Sequence, residues 1–286
     1  MNTFYVITNY QKDPEFETAG RIKEYLESKG KVCSIQRTEE DAHQGSFRYT
    51  DAQKIPKDTE CVLVLGGDGT LLQAARDLVE CNIPLLGINM GTLGYLAEVE
   101  HRNIRHALDQ LMAGEFSVES RMMLHGTVYH QNKKVLSDIA LNDIVISRSG
   151  KLRVIDFKIY VDGVFLTAYS ADGIIVSTPT GSTGYNLSVG GPIVAPQASL
   201  MLLTAVAPHT LVSRPIVLPD DVEITIEIVS RHSADGDGAV ATFDGDTSVK
   251  LNFGNRIVIT KSESRVRMVK TKNTSFLEIL GEKMNN

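Results

Sequence analysis

The most constraining feature of the 286-residue chain is the run Cys61-Val62-Leu63-Val64-Leu65, followed at once by Gly66-Gly67-Asp68-Gly69-Thr70. Five consecutive apolar residues suit a strand buried on both faces, which is the signature of a parallel sheet covered by helices. The glycines turn the chain, and Leu71, Leu72, Ala75 and Leu78 then repeat at helical spacing over Thr70 to Glu80. Strand, glycine turn and helix in this order predict a unit of a doubly wound α/β domain. In such domains ligands bind beyond the carboxyl ends of the strands.

The flanking segments extend that reading. Thr3 to Thr8 is rich in β-formers, and Asp13-Pro14-Glu15 reads as N-cap, first-turn proline and dipole-favoured acid. Phe16, Ala19, Ile22 and Leu26 keep helical spacing up to a stop at Gly30. Val32 to Gln36 predicts a second strand, 38 to 58 a long polar loop, and Pro84 to Ile88 another buried strand. Asn103 is placed to cap a helix ending at Gly114. Near residue 118 the period changes from helical to two. Val222, Ile224, Ile226 and Ile228 alternate with Glu223, Thr225 and Glu227, and strand-like stretches recur at 125–130, 141–147, 153–161, 240–243 and 256–260. The prediction is an α+β chain: a Rossmann-like, doubly wound α/β domain over 1–118, a β-rich domain over 119–269, and a tail over 270–286 that returns to the first.

Composition excludes several classes. Lys plus Arg is 29 against 35 for Asp plus Glu, a net charge of −6, which argues against coating nucleic acid or anionic membrane. Three cysteines without a CxxC pair fit free thiols in a reducing compartment, so a cytoplasmic protein is expected. No stretch reaches 18 apolar residues and no basic n-region precedes the first apolar run, so no membrane span or secretory signal is expected. Asp235-Gly236-Asp237-Gly238 has Ala239 where a calcium loop needs its next ligand, and reads as a hairpin turn. No dedicated metal site is expected.

Two segments carry chemistry. A carboxylate inside a glycine turn at a helix N-terminus repels phosphate, so Asp68 makes sense either as an acceptor for the proton of an attacking hydroxyl or as a group that helps hold a divalent cation, the plainer reading being a strand-to-helix turn with Asp as its cap. Neither GxxxxGK[ST] nor GxGxxG is present, which removes both the P-loop lysine and the hydride-transfer fingerprint. The second segment, Ser177 to Val194 (STPTGSTGYNLSVGGPIV), offers hydroxyls, glycines and Tyr185, whose ring can pack on a base or ribose. Asp172 just before it, and Asn142-Asp143 within LNDIVI, place polar groups where a strand would be apolar.

Four ordered blocks, GGDGT at 66–70, GTLGYLAE at 91–98, LNDIVI at 141–146 and DGIIVSTPTGSTGYNLSVGGPI at 172–193, resemble the NAD kinase family of the ATP-dependent, bacterial type. The first block alone is shared with phosphofructokinases and diacylglycerol-type lipid kinases; the fourth is specific. The resemblance implies transfer of the γ-phosphoryl group of ATP to the 2′-hydroxyl of the adenosine ribose of NAD, giving NADP. It assigns Asp68 as proton acceptor and Gly69 to the phosphate loop. Asn142 and Asp143 match the ribose-contacting pair, with Asp where Glu is common. Asp172, Thr180, Thr183, Gly184, Tyr185, Asn186, Leu187 and Ser188 match the pocket around the substrates, with Gly184 in place of the usual Ala. Arg153, Ala207 and Asp246 fall at further contact positions; Asp246 stands where many relatives have Gln or His, and Ser170 where some have Arg. Mg²⁺ or another divalent cation is expected to arrive with ATP, and a homo-oligomer, dimer or tetramer, is implied. Two rivals predict otherwise. A lipid or sugar kinase of the broader superfamily would show a membrane-facing segment or another acceptor, and a non-catalytic NAD sensor would have no use for Asp68.

Overall fold

The computed structural model describes residues 1–36, 50–91, 94–150, 154–229, 238–271 and 276–284. It divides into two compact units, Met1–Arg121 with Arg265–Asn286, and Met122–Ser264.

In the first unit β1 (Thr3–Thr8), α1 (Glu17–Ser28), β2 (Val32–Ile35), β3 (Cys61–Gly66), α2 (Asp68–Asp77), β4 (Leu85–Asn89), β5 (Val99–Glu100) and α3 (Ile104–Ala113) follow one another. The strands are parallel in the order β2-β1-β3-β4, and β5 joins the far side of β4. This order reverses direction between β1 and β3, so a crevice opens beyond the carboxyl ends of those two strands. Both faces are covered, as the unbroken apolar runs predict. Phe4, Val6, Leu63, Leu65, Leu86 and Ile88 pack with Ala19, Ile22 and Leu26 of α1 and Leu108 and Leu111 of α3. On α2, Leu71, Ala74 and Ala75 are buried. Gly87 is the point of close approach there, since a Cβ would lie 2.5 Å from Leu71 Cδ2 and 3.0 Å from the Ala97 Cα.

Helix starts differ in detail from the sequence expectation. α1 begins at Glu17, after Phe16 in the left-handed conformation, not directly after Asp13. Asp13 still satisfies the helix start from a distance: its buried carboxylate accepts the Thr18 and Ala19 N–H groups at 3.0 and 3.1 Å. α2 begins at Asp68 rather than Thr70. Asn103 occupies the position before α3 without a side-chain cap, whereas Gly114 ends that helix at φ 81°. Most of the loop expected at 38–58, the start of the strand expected at 153–161, and residues 235–237 of the expected hairpin lie outside the described residues.

The second unit is built from β-sheets. Its elements are β6 (Ser117–His130), β7 (Lys133–Ala140), β8 (Asp143–Arg148), β9 (Ile155–Val161), β10 (Val164–Ala171), β11 (Gly173–Ser177), the single turn α4 (Tyr185–Ser188), β12 (Leu200–Val206), β13 (Ile216–Pro219), β14 (Ile224–Ile228), β15 (Ala239–Phe243), β16 (Thr247–Leu251) and β17 (Arg256–Lys270). β6 begins, and β17 ends, in the first unit, where Met268 of β17 pairs in parallel with Leu85 of β4. α5 (Phe276–Met284) closes the chain. One sheet carries β10-β9-β14-β17 and the β6–β7 hairpin; the other is antiparallel in the order β13-β12-β11-β8-β15-β16. Their inner faces share one core, with Phe157, Ile159, Ile226 and Ile257 against Ile144, Ile174, Met201 and Phe243.

The alternation read in β14 is realised, with Ile224, Ile226 and Ile228 buried and Thr225 and Glu227 half-exposed. Truncating Ile226 to Ala is expected to cost about 2–5 kcal/mol of unfolding free energy. Thr225→Ala, one step along the same strand, is expected to cost less than about 1 kcal/mol. Urea unfolding of the two variants checks this, and equal losses would contradict the facing of the strand.

Candidate active site

In the first unit the glycine loop grows directly out of β3. Gly66 carries no side chain because a Cβ there would collide with Thr70, and its carbonyl accepts the Met90 N–H at 2.8 Å. Gly67, extended at φ −119° and ψ −172°, is the N-cap of α2 and supplies no side chain to the free N–H groups behind it. Asp68 is the first helical residue, and its carboxylate turns back onto the second sequence block. It accepts the Tyr95 N–H at 2.7 Å on Oδ2, and the Leu96 and Ala97 N–H groups at 3.2 Å on Oδ1. A Cβ at Gly94 would overlap this carboxylate, so the glycine in GTLGY is what lets Asp68 seat. An ionised carboxylate has about four acceptor positions, and three are engaged here. One remains for a donor from outside the protein. Gly69 is exposed in the same turn and has open space beside it.

In the second unit the third and fourth blocks meet at one end of the six-stranded sheet. Ser177 of β11 lies beside Asp143 of β8, and Phe243 of β15 beside Ile144. The STPT stretch is bonded onto the LND stretch: Thr178 N–H donates to the Asn142 carbonyl at 2.9 Å and Thr178 Oγ1 to the Leu141 carbonyl at 2.6 Å. Gly181 presses on the same backbone, where a Cβ would overlap the Asn142 carbonyl. Asp244, which sequence reading did not single out, holds the other side. Its carboxylate accepts the Leu141, Asn142 and Asp143 N–H groups at 2.7, 2.8 and 3.1 Å. In sequence it looks only like the start of an Asp-Gly hairpin turn, and no local pattern marks it.

This packing leaves two polar atoms that the protein does not use. Asn142 Oδ1 and Thr180 Oγ1 are buried without a hydrogen-bond partner. Native interiors rarely leave such atoms orphaned, so both mark places for a polar ligand. Gly184 stands against the pair, and a Cβ there would be 3.7 Å from Asn142 Nδ2 and from Asp143 Oδ2. Thr183 is half-buried with Oγ1 toward the Thr180 carbonyl, while Tyr185, Leu187 and Ser188 are exposed beyond it. Asn186 differs from its neighbours. It is wholly buried, its amide nitrogen donates to the Ser182 and Pro192 carbonyls, and its oxygen accepts from Thr204. Its side chain is spent on shaping the loop. Asp246 sits in the β15–β16 turn, its N–H bonded to the Phe243 carbonyl.

The remaining candidates are not brought to that end. Asp172 pairs with Arg148 at 3.0 Å, and Gly173 beside it is in register with Ser147 and Val206. Asp172 and Ala207, which follows β12 in the left-handed conformation, therefore lie at the opposite end of β11. Four strand steps of about 3.3 Å separate the two groups, roughly 13 Å. Arg153 lies outside the described residues.

Comparison with known proteins adds the following. A model described as the ATP-NAD kinase N-terminal domain matches residues 7–116, and one described as the ATP-NAD kinase C-terminal domain matches residues 141–271. The chain is 47% identical to the NAD kinase of Lachnospira eligens over 99% of this chain and 100% of that protein. It is 46% identical to the NAD kinase of Agathobacter rectalis over 100% and 99%. Among solved structures, an NAD kinase from Archaeoglobus fulgidus in complex with ATP superposes with a TM-score of 0.74 at 26% identity, covering 99% of this chain and 98% of that one. A yeast NADH kinase complexed with NADH shares the fold at a TM-score of 0.84 and 24% identity, covering 100% and 88%.

Burial, and then the Asp244 carboxylate, push the Asp143 carboxyl up to about 7. The folded state therefore holds this proton more tightly than the unfolded chain, where the group titrates near its ordinary 3.9. Stability from Asp143 is full below that value and is lost as pH rises through about 7. Asp143→Asn removes the titration. Its unfolding free energy relative to the parent is expected to climb between pH 4 and 8 by at most about 4 kcal/mol. Melting temperatures of the two proteins across that range test it, and parallel curves would refute it.

Proposed function

The chain belongs to the NAD kinase family, and on that premise we propose how its residues carry the γ-phosphoryl group of ATP to the 2′-hydroxyl of the adenosine ribose of NAD. The activity is ATP-dependent NAD phosphorylation. The observation that carries the assignment of roles is the seat of Asp68, held by three backbone N–H groups at a helix N-terminus with one acceptor position open. That position takes the proton of the 2′-hydroxyl as its oxygen bonds to Pγ. The bond from Pγ to the β,γ-bridging oxygen breaks, and ADP leaves with that electron pair.

Phosphoryl transfer asks the protein mainly for in-line placement and charge neutralisation. The free N–H groups at the start of α2, with Gly69 offering unobstructed backbone, suit the phosphate chain. Asn142 and Thr180 offer their unpartnered oxygens to hydroxyl or amino donors of the dinucleotide. Asp143, protonated over part of the neutral range, can donate as well as accept. Tyr185, 45% exposed beside the glycines, presents an aromatic face for a base or ribose. Thr183, Gly184, Leu187, Ser188 and Asp246 belong to the same substrate-binding surface, and Asn186 contributes to it by fixing the loop. Asp172 and Ala207 form a second contact group, and Arg153 is a further contact position that the family resemblance implies.

The divalent cation enters as part of the donor, as MgATP. Among the described residues no group of three His, Cys, Asp or Glu side chains could hold a metal ion by itself. The proposal includes a cytoplasmic enzyme, as the cysteine usage suggests, acting as a dimer or tetramer, as the family resemblance implies. Among the described residues no helix is long and apolar enough to cross a membrane.

A coupled assay of NADP formation from NAD and ATP is the primary test. Asp68→Asn preserves shape and is expected to lower kcat by about 10²- to 10⁴-fold; full turnover in a folded variant would remove Asp68 from the proton transfer. NAD lacking only the adenosine-ribose 2′-hydroxyl should compete with NAD and accept no phosphate. Phosphate found on another oxygen by phosphorus NMR would overturn the assignment. Tyr185→Ala should raise KM for NAD by up to about tenfold, the worth of a ring-face contact, and leave KM for ATP nearly unchanged.

A further inference from the structure

The glycine loop lacks the lysine that P-loop proteins place on their phosphates, yet the fold brings one to it from elsewhere in the chain. β1 ends at Thr8, and the next residue forms a latch. Asn9 N–H donates to the Leu65 carbonyl at 2.9 Å, and Asn9 Nδ2 donates to Thr70 Oγ1 at 3.1 Å. Asn9 also shapes the turn that follows: its Oδ1 accepts the Gln11 N–H at 2.9 Å and its carbonyl accepts the Lys12 N–H at 3.0 Å. The turn sends Lys12 back across the crevice between the ends of β1 and β3. Its Nζ lies 3.3 Å from where a Cβ would stand on Gly67, and 3.3 Å from the same point on Gly91. Glycine at both positions lets the ammonium group lie this close to the backbone of two loops without shifting.

No ion pair links Lys12 to an acid among the described residues, whereas Lys261 and Lys270 each have a carboxylate at 2.6 Å. The uncapped start of α2, ten residues long, adds the positive end of a helix dipole next to Gly67. A third donor lies at the end of β4. Asn89 is 2% exposed, its Oδ1 accepts the Gly91 N–H at 2.7 Å, and its Nδ2 has no partner. A cation, a helix N-terminus and a buried idle amide donor converge at the topological switch point of a parallel sheet, where such folds bind ligands.

We propose that Lys12 is a phosphate-binding residue of this enzyme: it binds the triphosphate of ATP and neutralises the phosphoryl group in transfer. The proposal rests on the kinase reading above. The bond changes and the proton transfer to Asp68 are those already given. A compact ammonium on a flexible stem suits a group whose charge moves along the triphosphate during the reaction.

The test compares the intact enzyme with Lys12→Met and Lys12→Arg. Lys12 is exposed, so melting temperatures should match the parent. Lys12→Met is expected to lower kcat by about 10²- to 10³-fold, the usual loss for one charge-stabilising donor, and to raise KM for ATP. Affinity for NAD should stay within about twofold, because a dinucleotide bound in the second unit does not need this charge, and Lys12→Arg should recover part of the loss. Calorimetry with inorganic tripolyphosphate should show binding to the parent that Lys12→Met weakens at least about tenfold. Unchanged kcat and KM for ATP in Lys12→Met would overturn the proposal, as would equal losses toward ATP and NAD. Failure of the parent to make NADP would overturn the kinase reading instead, and the tripolyphosphate measurement would still decide the anion site.

Discussion

Carboxylates that collect several backbone N–H groups hold the loops at this structure's strand and helix ends in place. Asp13 takes two from the start of α1, Asp68 three from residues 95–97, and Asp244 three from residues 141–143. Loops that leave a buried sheet carry N–H groups with no ladder partner, and leaving them unpaired in a low-dielectric interior costs more than a typical hydrogen bond returns. A carboxylate can serve several at once because it only accepts. Each clamp therefore sets the path of a loop that sequence periodicity does not specify.

The clamps also determine where chemistry is possible. Asp68 is oriented by the N–H groups it holds, which leaves a defined direction for the one donor still to be accommodated. Asp244 pins the Asn142–Asp143 backbone, where burial first, and then the Asp244 carboxyl, push the Asp143 carboxyl up to about 7. Glycines complete the arrangement: Gly94 makes room for the Asp68 carboxylate and Gly181 for the Asn142 carbonyl. These glycines are required by close approach, since neither has the positive φ that would otherwise demand one.

The division of labour between the two units follows from their sheets. A parallel sheet buried on both faces gathers loop ends and helix N-termini on one side, which suits phosphate. An antiparallel sandwich lets the starts and ends of neighbouring strands share one edge, so the ends of β11 and β15 meet the start of β8. The STPTGSTGYNLS segment is scaffold as much as surface. Thr178, Ser182 and Asn186 turn inward and bond the loop to itself, while Tyr185, Leu187 and Ser188 face out.

What the sequence by itself determined is whatever depends on neighbours along the chain. CVLVL reports a strand buried on both faces, the isoleucines of β14 report one buried face, and GGDGT reports a strand-to-helix turn with an acid at its start; periodicity and contiguity are local, so they can be read without the fold. The four ordered blocks made the family legible for the same reason. Only the tertiary structure decided which groups those residues meet. Asp68 reaches N–H groups 27 to 29 residues away and Asp244 reaches groups 101 to 103 away, and no spacing rule encodes either. The same holds for the split of the predicted site residues between the two ends of β11, for the inward turn of Asn186, and for the return of Lys12 to Gly67 and Gly91. The proton affinity of Asp143 lies furthest from the sequence, because burial and a facing carboxylate set it, and both exist only once the chain has folded.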